Sequence, residues 1–200
     1  MAGADGRVAV VEAGDAPVEP VAGYDATRSL GHVRFDAAPA TVLDADAATA
    51  WHLAQALLAA ESLGAVEAAL EASVAYAKER VTFGRAIGSY QAVKHELVEI
   101  LRGLDNARSL MYYAGWAAQD RPDELPLAAA ALRTVAGGAL DHAARAQISV
   151  HGGIGATWEH DAPLYFRRAQ LSKRLLGGAG GAADRVADEL FAQAKAAAAA

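Results

Sequence analysis

The chain has 200 residues, 54% of them hydrophobic, enough for one domain with a sizeable core. Its net charge of -6 argues against a general binder of phosphate backbones, so no nucleic acid partner is expected. Cysteine is absent, which excludes disulfides, thiolate zinc sites and cysteine nucleophiles and fits a reducing compartment.

Met1 to Gly6 shows no cationic start followed by an apolar run, so no signal peptide is expected. The apolar run Ala56 to Ala60 stops at Glu61, far short of the roughly 20 residues of a membrane span. The expectation is a cytoplasmic protein with no membrane partner.

Residues 1–43 differ in kind from the remainder. Val8 to Val11 is a Val-rich run, and His32 to Asp36 alternates polar and apolar as a half-buried strand does. Gly23, Tyr24 and Asp25 fit a turn between strands. Two or three short strands cannot bury a face alone, so this segment reads as part of a larger sheet.

From Asp44 the pattern turns helical, with Asp44 or Asp46 available as the cap. Leu53, Leu57, Ala60, Leu63, Val66, Leu70 and Val74 form the stripe of a first helix reaching Ala77. A loop through Gly84 and Gly88 leads to a second helix, Tyr90 to Gln119, whose stripe is Val93, Leu97, Ile100, Leu104 and Met111. After a break at Arg121 to Asp123, the spacing predicts helices over Leu127–Val150, His160–Leu175 and Ala183–Ala194. Long helices with short connections give a mainly α fold, an antiparallel four-helix bundle over 44–200 preceded by two or three short β-strands.

Three stretches carry candidate chemistry. In the first, Arg80 ends a helix, Phe83 stands beside a flexible Gly84 and Gln91 opens the next helix. Such a set can clamp a pyrophosphate, cover an aromatic ring and donate to ribose or phosphate oxygens. Chemistry alone favours the plainer reading, Arg80 in a surface ion pair and Phe83 as a core plug. In the second, His151, Gly152 and Gly153 close a helix, either as a C-cap turn or as a corner a cofactor can approach. No strand precedes it and the dinucleotide-binding spacing is missing. In the third, Glu159, His160 and Asp161 point in different directions from a helix start, so a metal is not expected there. The two acids suit the positive end of the helix dipole.

Arg80 to His95, reading RVTFGRAIGSYQAVKH, resembles the signature of the acyl-CoA dehydrogenase family. HGGIG from His151, then TWEHD from Thr157 and YFRRA from Tyr165, is similar to its second signature. The variant resembles actinobacterial members, including those acting on steroid side-chain thioesters. Gly23 to Leu30 and Val33 to Pro39 look like the last strands of the family's middle β-domain, which makes 1–43 a remnant of that domain.

The resemblance implies FAD as cofactor, an acyl-CoA substrate in the assembly, and a homo- or hetero-oligomer of acyl-CoA dehydrogenase-like subunits. It implies that Arg80, Phe83 and Gln91, with Ser149, His151, Gly152 and Gly153, contact the FAD of a neighbouring subunit. Ser149 stands where the family commonly has a glutamine. Family chemistry removes a proton α to the thioester and needs a carboxylate base. The base position falls on Leu176, and the alternative position on Ala54 and Gln55, so no catalytic residue is expected in this chain. A degenerate oligomerisation module without a flavin role is the alternative expectation.

Overall fold

A computed structural model describes residues 6–198. Its first part holds four strands, one more than the sequence pattern suggests. β1 (Arg7–Val10) pairs antiparallel with β4 (Thr41–Asp46), and β2 (Val18–Val21) pairs antiparallel with β3 (Leu30–Val33). The strand β4 escapes periodicity because its end, Asp44 to Asp46, is polar; pairing with β1 holds it extended. Only Ala16 and Asp25 are buried between residues 6 and 46, while Val18, Val33, Phe35 and Val42 are exposed.

Asp46 then caps α1 (Ala47–Glu79), accepting from the amides of Ala48 at 3.2 Å and Thr49 at 2.8 Å. This helix corrects the predicted stripe. Leu63 and Val66 are buried as expected, but Leu53 and Leu57 face outward, Leu57 with 72% exposure. The buried line is Ala59, Ser62, Val66, Ala69, Ser73 and Ala77, where small side chains let another helix approach closely. A helix apolar on every side gives its periodicity no direction, so the largest residues mislead.

The second helix, α2 (Gln91–Asp120), buries Ile100, Leu104, Ala107, Ala114 and Ala117, and two of these belong to the expected stripe. The third, α3 (Leu125–His151), is the centre of the bundle and touches both α1 and α2. Pro126 sits in its first turn, where a missing N–H costs nothing. Beyond it lie α4 (Ala162–Ser172) and α5 (Gly178–Ala198), both packed on α3. The last helix starts five residues earlier than its glycines suggest. Gly137 of α3 explains part of this, because a Cβ there would lie 3.0 Å from the Cβ of Ala179. Close helix approach rewards the small residues that weaken isolated helices.

One buried ion pair ties the strand region to the bundle. Arg168 of α4 donates through Nε to the fully buried Asp25 carboxylate at 2.7 Å and through Nη2 to the Thr27 carbonyl at 2.9 Å. Glu61 of α1 accepts from both Arg168 and Arg28. Burial alone would raise the Asp25 carboxyl; the Thr27 hydroxyl and amide and the Arg168 guanidinium outweigh it and hold the group below its usual value. A carboxyl depressed in the folded state stabilises above its unfolded pKa. That stability is lost as pH falls from the ordinary aspartate range to the folded value. Replacing Arg168 with Met should strand the Asp25 charge and cost about 3 kcal/mol at neutral pH. Denaturant titrations at pH 7 and pH 3 check this: the gap between wild type and variant should narrow in acid.

Candidate functional site

The chain between α1 and α2 is a two-residue hairpin and not the plain loop the sequence suggests. β5 (Val81–Thr82) pairs with β6 (Arg85–Ala86), and Phe83 and Gly84 make the turn with φ of 53° and 77°. Positive φ at both central positions is the hairpin turn that matches strand twist, normally built from Asn and Gly. A phenylalanine there costs about 1–2 kcal/mol of backbone strain, and its side chain is 92% exposed. The fold thus gains nothing from Phe83, and the core-plug reading is excluded.

The hairpin is held at its base. The Ile87 amide donates to the Arg80 carbonyl at 2.8 Å and the Tyr90 hydroxyl donates to the Thr82 carbonyl at 3.1 Å. Gly88 packs so closely that a Cβ would lie 2.9 Å from the Ala77 carbonyl oxygen. The Arg85 guanidinium lies 4.0 Å over the Tyr90 ring. Arg80 caps α1 through its backbone amide, and its exposed side chain makes no ion pair among the described residues. That removes the surface ion-pair reading. Gln91, the first residue of α2, is exposed.

The structure places Phe83 and Ser149 on one groove of about 520 Å³, with Thr82, Tyr90, Val93 and Glu96. Arg80 and Gln91 are not among its lining residues. Tyr90 and Arg85 are additions that the sequence reading missed, although both lie inside the motif it singled out.

The far end of the groove is the close of α3. Gly152 has φ 64° and ψ -137°, a region open to glycine. Gly155 is packed: a Cβ would fall 2.8 Å from the Ile148 carbonyl oxygen. Gly153 is different, with φ -52°, ψ -45° and nothing within 4 Å of a built Cβ. The backbone does not require glycine at 153, so its bareness keeps an outward surface low.

His151 lies beneath this surface with 4% exposure. Its ring stacks on Tyr76 of α1 at 4.4 Å and meets His160 at 4.2 Å. Nδ1 is 2.8 Å from the Gln147 carbonyl, which can only accept, so Nδ1 carries the proton. Burial pushes the ring's pKa down against the opposing pull of that carbonyl, and His160 pushes it further down. His160 accepts the Ala162 amide on Nδ1 at 3.0 Å and so caps α4. Glu159 and Asp161, expected to serve that helix end, make no side-chain cap bond to it.

The corner between α4 and α5 carries Leu176, another strained residue at φ 51°. Gln55 donates to the Leu176 carbonyl at 3.1 Å, and the fully buried Arg133 donates to the carbonyls of Ser172 and, at 3.3 Å, Leu175. No carboxylate takes part in these contacts. Three non-glycine residues have positive φ in the described chain, and two of them, Phe83 and Leu176, are positions the sequence had marked.

The chain is thus an α-helical bundle domain with an exposed aromatic, Phe83, and a bare glycine corner at Gly153. Residues 45–191 match the family described as acyl-CoA dehydrogenase, C-terminal domain. The chain belongs to the acyl-CoA dehydrogenase family. It is 39% identical over 180 residues to the acyl-CoA dehydrogenase FadE34 of Mycobacterium tuberculosis, covering 88% of this chain and 25% of that protein. It is 42% identical over 158 residues to the acyl-CoA dehydrogenase IpdE2 of the same organism, covering 79% of this chain and 47% of that protein.

Among solved structures, the steroid ACAD Tcur3481-Tcur3483 superposes with a TM-score of 0.89 at 30% identity, covering 98% of this chain and 55% of that one. The ChsE4-ChsE5 complex from Mycobacterium tuberculosis gives 0.80 at 27% identity, covering 88% and 49%. The chain therefore spans between a quarter and about half of the length of these proteins.

Proposed function

We propose that this chain completes FAD sites in trans within an assembly of acyl-CoA dehydrogenase-like subunits, in the cytoplasm, without supplying the catalytic base. Phe83 carries the reading: a strained aromatic, 92% exposed, beside an unpaired Arg80. The residues present suit the cofactor. Arg80 offers paired N–H donors to a pyrophosphate, Phe83 and Tyr90 offer ring surface, Gln91 and Ser149 offer polar contacts, and Gly152 and Gly153 leave room for a nucleotide. Bound FAD would supply the hydride acceptor for α,β-dehydrogenation of an acyl-CoA thioester. The proton acceptor would come from another subunit, because Leu176 and Ala54 cannot take a proton and Gln55 is an amide. In this reading residues 1–43 extend a β-domain and residues 44–200 form the bundle.

Both similarity to paired-subunit structures and the exposed strand faces support a mixed assembly. The direct test purifies the chain alone and together with a full-length acyl-CoA dehydrogenase subunit, then measures flavin per complex by absorbance. Flavin retained by the mixture above the level of the subunit alone is the expected result; no gain overturns the reading. The second reading, an oligomerisation module without flavin contact, is favoured by an exposed line on α2, Val98, Leu101, Tyr112 and Trp116. A colourless mixed complex of defined stoichiometry would establish it.

A further inference from the structure

Arg28, Arg108, Arg145 and Arg168 each face a carboxylate. Arg133 of α3 and Arg185 of α5 face none among the described residues, and they come together where α3 meets the start of α5. Arg133 is fully buried and spends Nη2 on the main-chain carbonyls of Ser172 and Leu175. Its Nε and Nη1 are buried and have no hydrogen-bond partner among the described residues. The same holds for Nε and Nη2 of Arg185, which form one edge of its fork.

Both guanidinium groups stand at the first turn of α5. A Cβ on Gly137 would lie 3.3 Å from Arg133 Nη1 and 3.0 Å from the Cβ of Ala179, the second residue of that helix. A Cβ on Gly181 would lie 3.6 Å from Arg185 Nη1, and one on Gly177 would lie 3.8 Å from it. Three glycines thus keep side chains away from the two cations. The positive end of the α5 dipole adds to the charge there. Burial pushes the Arg133 pKa down and the Arg185 charge lowers it further, yet a guanidinium stays protonated in a protein. Two like charges share one enclosed corner. The acids of α5, Asp184, Asp188 and Glu189, form no ion pair with Arg185 among the described residues. A water molecule would meet the free donors and leave both charges uncompensated. An anion meets donors and charge together.

We propose that the corner between α3 and α5 binds a small monovalent inorganic anion, with chloride the ordinary occupant. It lies between the Nε–Nη2 edge of Arg185 and the free N–H groups of Arg133. Enclosure sets the size, because Arg133 has no exposed surface for a bulky anion to reach. By neutralising the pair, the ion steadies the arginine that grips the carbonyls between α4 and α5. The inference does not rest on the flavin reading.

Thermal unfolding of the whole chain in sodium chloride, bromide and gluconate at equal ionic strength tests it. Chloride and bromide should raise the midpoint saturably, by roughly 5–10 °C at about a hundred times Kd. Gluconate, too bulky to enter, should not. Arg185→Met should abolish the halide response and Arg185→Lys should keep part of it; neither change breaks a hydrogen bond or ion pair among the described residues. Crystals of the unaltered chain soaked in bromide should show an anomalous peak between the two guanidinium groups, a measurement that needs no variant. Equal midpoints in chloride and gluconate would mean screening alone and overturn the proposal. So would an undiminished halide response in Arg185→Met, or no bromide peak at that corner. A halide response that arises only in Glu189→Gln would make Glu189 the counterion and end the proposal as well.

Discussion

Replacing Arg80 with Ala should strip flavin from the mixed assembly while leaving this chain folded. The guanidinium is exposed and unpaired among the described residues, so its removal breaks no internal contact. A charge-assisted bidentate contact to a pyrophosphate is worth about 1.5–3 kcal/mol, which corresponds to roughly 10- to 100-fold weaker retention. Arg80→Lys should recover part of this, since an ammonium keeps the charge and loses the fork. Phe83→Ala is the companion variant. It removes ring surface from a position the core does not use, and flavin should again be lost without a fall in thermal midpoint. Equal flavin content in wild type and Arg80→Ala complexes would refute the assigned role.

The second large effect concerns glycines two residues apart. Gly155→Ala would set a methyl 2.8 Å from a backbone carbonyl and 2.8 Å from the His151 Cβ. Neither neighbour is the free end of a side chain, so the corner must move, at about 1–3 kcal/mol or more. Gly153→Ala should be neutral or mildly stabilising, by about 0.4–1 kcal/mol, because its dihedrals are already helical. Gly153→Leu should leave thermal stability near wild type and lower flavin retention. Melting curves and flavin absorbance on the same samples separate the two positions. A collapse of Gly153→Leu by heat would show that the bareness there serves packing.

Much of this architecture is legible in residue order. Asp46 before a run of helix formers, and Gly152 after one, mark helix ends because capping is local chemistry. The α2 stripe is legible because its opposite face is polar, as Ile100 and Leu104 show against Glu99 and Arg102. The α1 stripe is not: an alanine-rich helix has no polar side, and only contact with α3 decides that Ala59 is inside and Leu57 outside. The start of α5 was hidden for the same kind of reason. Gly180 and Gly181 disfavour helix locally, and packing against α3 overrides them.

At the site, residue types were legible and geometry was not. The motif named Phe83, yet no local rule predicts a phenylalanine at the tip of a tight hairpin, where asparagine is the usual choice. His160 as a helix cap was unreadable, because histidine is an uncommon cap and adjacent acids gave a stronger signal. Arg168 and Asp25 lie 143 residues apart, and their pairing is a property of the folded chain alone.

The anchors at the α4–α5 corner all grip main chain. Gln55 and Arg133 hold carbonyl oxygens of residues 172, 175 and 176, and none of them depends on what the side chain at 176 is. A substitution at that position would therefore leave these main-chain anchors in place, with only the φ of 51° discriminating between side chains. In the reading proposed above, an acid at 176 could give way to leucine through a few nucleotide changes with every one of these anchors still in place.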